Sequence, residues 1–318
     1  MNQDRRNFIK QLSLTTGGLV LANALPSFGF LTEESKKFSF KISLAQWSLH
    51  RTLFENKMTA LDFPVAAKQK YGIEAVDYVN QFFAAKAEDK DFLKQLKLRC
   101  DDNGVKSLLI MIDNEGSLAD SDSKQRLKAV ENHYKWVTAA KFLGCHSIRV
   151  NLHGTGSAEE WKNASADSLN KLSTFGATHK INIIVENHGG FSSNAKMLTE
   201  VIKQVNNPYC GTLPDFGNFC MRREKGDLWE SPCVDWYDRY KGVEEMLPYA
   251  KSVSAKTFDF DEKGNETSTD YFKMMKLIKA SGYKGYFGIE YEGSKLSEDE
   301  GIKATLKLLE NVRVLMNG

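Results

Sequence analysis

The chain has 318 residues, of which 42% are hydrophobic and 26% charged, with a formal net charge of +2 at pH 7. This is the composition of an ordinary globular protein, and so small a net charge supplies no field for a polyanion, which excludes nucleic acid as the expected partner. The length suits either two average domains or one eightfold β/α barrel.

Reading from the N-terminus, Asp4-Arg5-Arg6-Asn7-Phe8-Ile9-Lys10 precedes a mildly apolar stretch, LSLTTGGLVLANA, that ends in small residues at Ala22 to Ala24. A basic region, an apolar region and small residues in that order read as a removable targeting peptide. The paired arginines followed by Phe-Ile-Lys resemble the twin-arginine export signal, and the apolar stretch is too short and too rich in Gly and Thr to span a bilayer. The expectation is an export signal and linker over 1–37, a folded domain over 38–318, a periplasmic or otherwise exported location, and no stable membrane span in the mature form.

From Phe38 onward, short apolar runs alternate with longer amphipathic segments. The runs are FKISLAQW (40–47), IEAVDYV (73–79), KSLLIMI (106–112), SIRVNL (147–152), INIIVE (181–186), CGTLPD (210–215), SVSAKTF (252–258) and YFGIEY (286–291). Between them, apolar residues recur at helical spacing over 124–143, 157–179, 194–205, 270–280 and 298–316. Gly72, Gly104, Gly144 and Gly282 each precede a run by a residue or two, as C-terminal helix caps should. Alternation of strand and helix predicts a parallel sheet, and eight units without a second domain predict closure into a (β/α)8 TIM barrel. The open doubly wound alternative lacks its glycine fingerprint, because the first run ends in Gln46-Trp47-Ser48.

One connection is long. Residues 216–247 carry dense charge with Trp229, Trp236 and Tyr237, and either fold over a pocket or pack their aromatics on the barrel rim. The five cysteines, Cys100, Cys145, Cys210, Cys220 and Cys233, include no CxxC pair. The expectation is therefore neither a disulfide framework nor a zinc knuckle, with Cys145 and Cys210 in the core.

Three acidic residues close apolar runs: Glu186 after INIIV, Asp215 after CGTLP and Glu290 within YFGIEY. At the C-terminal ends of barrel strands they would present three carboxylates to one pocket, the oxygen-rich setting that a hard divalent cation needs. Deprotonating carbon beside a carbonyl needs a base near the C–H and positive charge near the developing oxyanion, and carboxylates with a cation meet both needs. Asn187-His188-Gly189-Gly190 and Asn218 bring polar groups to the same place, with His188 binding a hydroxyl, ligating or supporting a ligand. Glu292 lies on the face of Glu290 or turns into the loop. Gln46, Trp47, His50, Asp77, Asn80, Arg149, Asn151 and His153 stand near the ends of the first, second and fourth runs, where Trp47 and Asn151 suit a sugar.

A strand-ending Glu, then an Asp, then a strand with a polar residue two before a Lys, then a final Glu resembles the xylose isomerase-like TIM-barrel superfamily. IVENHGG, TLPDFGN, SVSAKTFDFD and GYFGIEYEG are the local matches. The resemblance implies that Glu186, Asp215 and Glu290 bind Mn²⁺, Mg²⁺, Co²⁺ or Zn²⁺. It also implies that Glu186 and Glu290 flank a small-molecule carbohydrate and exchange its proton, in an isomerase or epimerase working through an enediolate. Its sugar epimerases commonly carry His-x-Lys in the seventh strand, with the His as fourth ligand. Here the segment reads Ser254-Ala255-Lys256, and Asn218 stands where epimerases often have a histidine. A site without imidazole favours harder metals. Lys256 is left to neutralise charge or to polarise a substrate oxygen. The alternatives are a dehydratase or lyase on a polyol ketone, and a non-catalytic exported carbohydrate-binding barrel. The related histidine-rich endonucleases are disfavoured by the six histidines and the near-neutral charge.

Overall fold

Strand follows helix through the whole of Phe38–Gly318 in the computed structural model, which describes residues 37–318. The segment read as an export signal lies outside the described residues. The strands are β1 (Lys41–Ala45), β2 (Ala75–Val79), β3 (Lys106–Met111), β4 (Ser147–Val150), β5 (Asn182–Glu186), β6 (Cys210–Leu213), β7 (Val253–Thr257) and β8 (Tyr286–Tyr291). All are parallel, in the order β6-β5-β4-β3-β2-β1-β8-β7. The two outer strands meet only through the bridges Thr212 to Ala250 and Asp215 to Ser254. Three backbone bonds reinforce them: Lys251 N to Thr212 O at 3.0 Å, Ser254 N to Pro214 O at 2.9 Å and Phe216 N to Ser254 O at 3.2 Å. The ring is thereby closed as a (β/α)8 barrel.

The outer helices are α1 (Phe63–Tyr71), α2 (Lys90–Asn103), α3 (Ser123–Leu143), α4 (Ala158–His179), α5 (Ala195–Val205), α6 (Arg239–Met246), α7 (Tyr271–Ser281) and α8 (Glu298–Leu315). Their starts are chemically marked: Asp89, Asp122, Asn194, Asp238 and Asp270 accept backbone N–H bonds as N-caps, and Ser157 and Ser297 form capping boxes with Glu160 and Glu300. Each such cap contributes about 1 kcal/mol. Gly72, Gly104, Gly144 and Gly282 end their helices in the left-handed region, as expected.

Between sheet and helices lies a core that includes Trp136, Trp161, Phe63 and Phe287, all buried. Inside the barrel, Ala45, Val79, Leu109, Met111, Ile184 and Leu213 form a small apolar layer. Deeper in, Ser43 Oγ donates to Asp77 Oδ2 at 2.7 Å. Gly288 leaves that space open, because a Cβ there would stand 2.5 Å from the same oxygen. On the outside, α8 approaches β8 at Gly301, where a Cβ would fall 2.2 Å from the Tyr291 ring.

The long connection after β6 holds an antiparallel ribbon, Cys220–Arg223 against Cys233–Trp236, with a Cys220–Cys233 disulfide. This corrects the expectation that no disulfide would form. The ribbon brings the two Cα atoms to 5.9 Å, a proximity that a thirteen-residue separation does not advertise. Cys100, Cys145 and Cys210 are free and buried. Among the described residues, no helix is long and apolar enough to cross a membrane.

Candidate active site

Glu186 ends β5, Asp215 lies just beyond β6 and Glu290 lies near the end of β8. Each is buried and offers a carboxylate oxygen, and the three oxygens lie within 4.8 Å of one another. Asn187 braces the loop that carries Asp215. Its Oδ1 accepts from Asp215 N at 2.7 Å, and its Nδ2 donates to Asp215 O and Asn218 O, both at 3.0 Å. Gly217 N and Asn218 N both donate to Asp215 Oδ1 at 2.7 Å, which fixes that carboxylate. Asn218 Nδ2 then donates to Glu186 Oε1 at 3.0 Å.

Ser254, at the position of the absent histidine, is buried and donates from Oγ to Glu290 Oε2 at 2.7 Å. Lys256 Nζ stands 3.0 Å from Glu290 Oε1, 3.2 Å from Glu292 Oε1 and 3.7 Å from Asp215 Oδ2. The Glu292 side chain therefore turns toward the site. Arg149 holds the other flank, with Nη1 2.7 Å from Asp113 Oδ1, an oxygen that also accepts from Asn151 Nδ2 at 2.7 Å. Arg149 Nε lies 2.8 Å from Glu186 Oε2 but out of hydrogen-bond line. Glu186 Oε2 and Asp215 Oδ2 thus remain buried without a hydrogen-bond partner among the described residues.

The electrostatics follow from this crowding. Burial pushes the Glu186 carboxyl well above the usual range against the pull of Arg149, and Glu290 and Asp215 push it further. Burial raises Asp215 to about 6 despite Lys256. For Lys256, burial opposes the ammonium, but Asp215, Glu290 and Glu292 overcome it and hold the pKa well above its ordinary value. At Asp113, burial is likewise overcome, by Arg149, and the carboxyl lies below its usual range. Burial and then Arg149 push His188 well down, so its imidazole is neutral. Two buried carboxylate oxygens with cations near but no hydrogen bond, in an all-oxygen donor set, fit a hard divalent cation held by Glu186, Asp215 and Glu290.

Above this cluster opens a cavity of about 390 Å³, walled by Trp47, Asp113, Asn151, His188, Trp229 and Glu292. Glu186 and Asp215 lie off its lining, whereas Arg149, Asn218 and Lys256, which contact them, are part of it together with Glu290. A larger cleft of about 490 Å³ lies at the other end of the strands around Lys41, Glu74 and Tyr286. It contains none of the converging carboxylates, and barrels of this type react at the C-terminal ends of their strands.

The candidates Trp47, Asn151, His188, Asn218, Lys256 and Glu290 therefore come together at one cavity, as does His153, whose Nε2 lies 3.0 Å from His188 O. His50 stacks on Trp47 at 5.0 Å. Gln46, Asp77 and Asn80 do not reach the cavity. Gln46 Oε1 accepts from Val79 N, Asp77 sits deeper in the barrel, and Asn80 brackets the backbone of Asp113. Asp113 was missed by sequence reasoning, although it closes KSLLIMI just as the three acidic residues close their runs.

Residues 65–312 match the model of the family described as xylose isomerase-like TIM barrel. A stretch of 67 residues is 31% identical to the C-glycoside deglycosidase alpha subunit of Arthrobacter globiformis, covering 21% of this chain and only 17% of the length of that curated relative. Among solved structures, L-ribulose 3-epimerase superposes with a TM-score of 0.67 at 13% identity, over 87% of this chain and 96% of that one. The IOLI protein with a bound zinc atom gives 0.66 at 15% identity, over 87% and 99%. The 3-keto-D-glucoside 4-epimerase YcjR from E. coli gives 0.59 at 12% identity, over 86% and 100%. At such identities the likeness is one of fold.

Proposed function

Because the chain belongs to the xylose isomerase-like TIM barrel family, we propose that it is a divalent-metal-dependent isomerase or epimerase of a small carbohydrate, moving a proton between carboxylate and substrate through an enediolate. The observation that carries this reading is the meeting of Glu186, Asp215 and Glu290 within 4.8 Å, with two buried oxygens that lack a hydrogen bond, beneath a cavity of about 390 Å³. Epimerases among the structural neighbours, and the IOLI protein with its zinc atom, support the same reading. When bound, a divalent ion held by these three residues would supply positive charge to the substrate oxygen that becomes negative.

The chain's own residues do the rest. Glu290 reaches the cavity and is oriented by Ser254 and Lys256, which fix both of its oxygens. That leaves it directed at a substrate carbon as the proton acceptor. Glu186, at the end of β5 with β6 and β7 between it and β8, returns a proton from the other side of the cluster. Lys256 and Arg149 add fixed positive charge where charge develops. Neutral His188, Asn151 and Asn218 hold hydroxyls, and Trp47 covers the apolar face of the sugar.

The test is solvent deuterium exchange. With Mn²⁺ present and a panel of aldoses, ketoses and 3-keto-sugars, each free and as its glycoside where one exists, deuterium should enter one sugar carbon, and Glu290→Gln should slow this by roughly 10²–10⁴-fold. Absence of exchange across the panel in the metal-loaded protein would sink the proposal. Export belongs to the same proposal, supported by the Cys220–Cys233 disulfide, which an oxidising compartment favours. Fractionation of cells producing the full chain checks it, and a cytoplasmic mature protein would contradict it.

A further inference from the structure

The cavity has aromatic walls on opposite sides. Trp47 follows β1 and His188 follows β5, and in the closed ring these two strands stand four places apart in either direction. On the β1 side, Trp47 is backed by His50, Phe54 and Phe82. On the β5 side, the rings of His188 and His153 stack at 5.5 Å, and Trp229 lies 4.5 Å from His188. The polar groups that could hold hydroxyls, Asn151, Asp113, Lys256 and Asn218, lie between the two walls with Glu290.

Trp229 comes from neither a barrel strand nor a barrel helix. It sits at the tip of the disulfide-closed ribbon and remains 45% exposed. The loop that carries this exposed indole is braced, and one face of the ring lies over His188 and Gly189. Arg223 donates from Nε to Leu228 O at 2.7 Å and from Nη1 to Ser231 O at 2.6 Å, and its guanidinium lies 5.9 Å from the Trp229 ring. Asp227 Oδ1 accepts from Glu230 N and Ser231 N, which closes the turn around Trp229. Gly189, with φ 83°, lets the strand-end loop pass under the ring, where a Cβ would stand 3.4 Å from it. The molecule thus builds a rigid, flat, apolar platform on the far wall from Trp47. A single sugar ring over the carboxylates is already served by Trp47 and the polar groups, which leaves the Trp229 face for a second ring.

We infer that the substrate is a keto-glycoside rather than a free sugar: the reacting ring, bearing the ketone that enolisation requires, lies over the carboxylates beside Trp47, and the aglycone, an aromatic or second sugar ring, stacks on Trp229. The inference rests on the carbohydrate reading of the site and names the substrate class within it. Stacking of this kind favours a flat aglycone by up to roughly tenfold.

The probes are phenyl glycosides, methyl glycosides and the free sugars of glucose, galactose and xylose, in both anomers, titrated into the full chain and followed by calorimetry. For at least one sugar the phenyl glycoside should bind roughly tenfold more tightly than the free sugar. That preference should vanish in Trp229→Ala and return in Trp229→Phe, with unchanged thermal unfolding because the side chain is exposed. Equal binding of the three forms, a preference that survives Trp229→Ala, or no binding by any probe overturns the inference. The outcome is separable from the proton-transfer reading. Aglycone preference without deuterium exchange would keep the subsite and sink the isomerase, whereas exchange in free sugars without aglycone preference would do the reverse.

Discussion

Lys256 is buried among three carboxylates, Asp215 after β6 and Glu290 and Glu292 at the end of β8. Its ammonium offsets part of the repulsion that pushes Glu186 and Asp215 up. A divalent ion held by the same carboxylates would share that task. Lys256→Met should therefore cost the metal-free protein on the order of 3–5 kcal/mol, the loss expected when a buried pair loses one partner. Added Mn²⁺ should then raise the melting temperature of the variant more than that of the wild type; equal shifts would show that lysine and ion do not share the site. The three acidic residues were legible in the sequence because each closes an apolar run, and Asp113 was legible by the same rule but passed over. Arg149 was not. A lone arginine in SIRVNL looks like rim or packing until Asp113 and Glu186, from the strands on either side, converge on it.

Barrel strands were the most readable elements, since short apolar runs and capping glycines mark them, and the eight of them fall inside the eight runs. The ribbon was not readable. Its strands are four residues long and largely exposed, so no burial pattern marks them, and the approach of Cys220 to Cys233 comes about only when the ribbon forms. The contact of α8 with β8 was equally hidden. Gly301 reads as a poor helix former in mid-helix, but it is what lets α8 lie on Tyr291, whose hydroxyl is pinned to the backbone of Leu296. Gly301→Ala should gain helix propensity and still lose about 1–3 kcal/mol by overpacking. Urea unfolding measures this, and a variant as stable as the parent would contradict the contact.

At the scale of the whole molecule, the polar barrel interior makes stability depend on pH. Burial raises Asp77 from an ordinary 3.8 to about 7, with Ser43 opposing the shift and Glu290 adding to it. The folded protein therefore binds this proton more tightly than the unfolded chain does. Its contribution is complete below about pH 4 and is lost as pH rises through about 7, amounting to a few kcal/mol. Asp77→Asn, which cannot ionise, should flatten the fall in melting temperature over that window; parallel curves for the two proteins would refute it. The ring closure between β6 and β7 carries a further consequence. The barrel is fastened there by few backbone bonds, and Ser254 makes two of them while its hydroxyl reaches across to Glu290 on β8. The clasp of the barrel and the floor of the candidate site thus share the same few atoms. Repair of the fold and tuning of the chemistry cannot be pursued independently at this seam, and a residue placed there to grip a ligand more firmly must also keep the barrel shut.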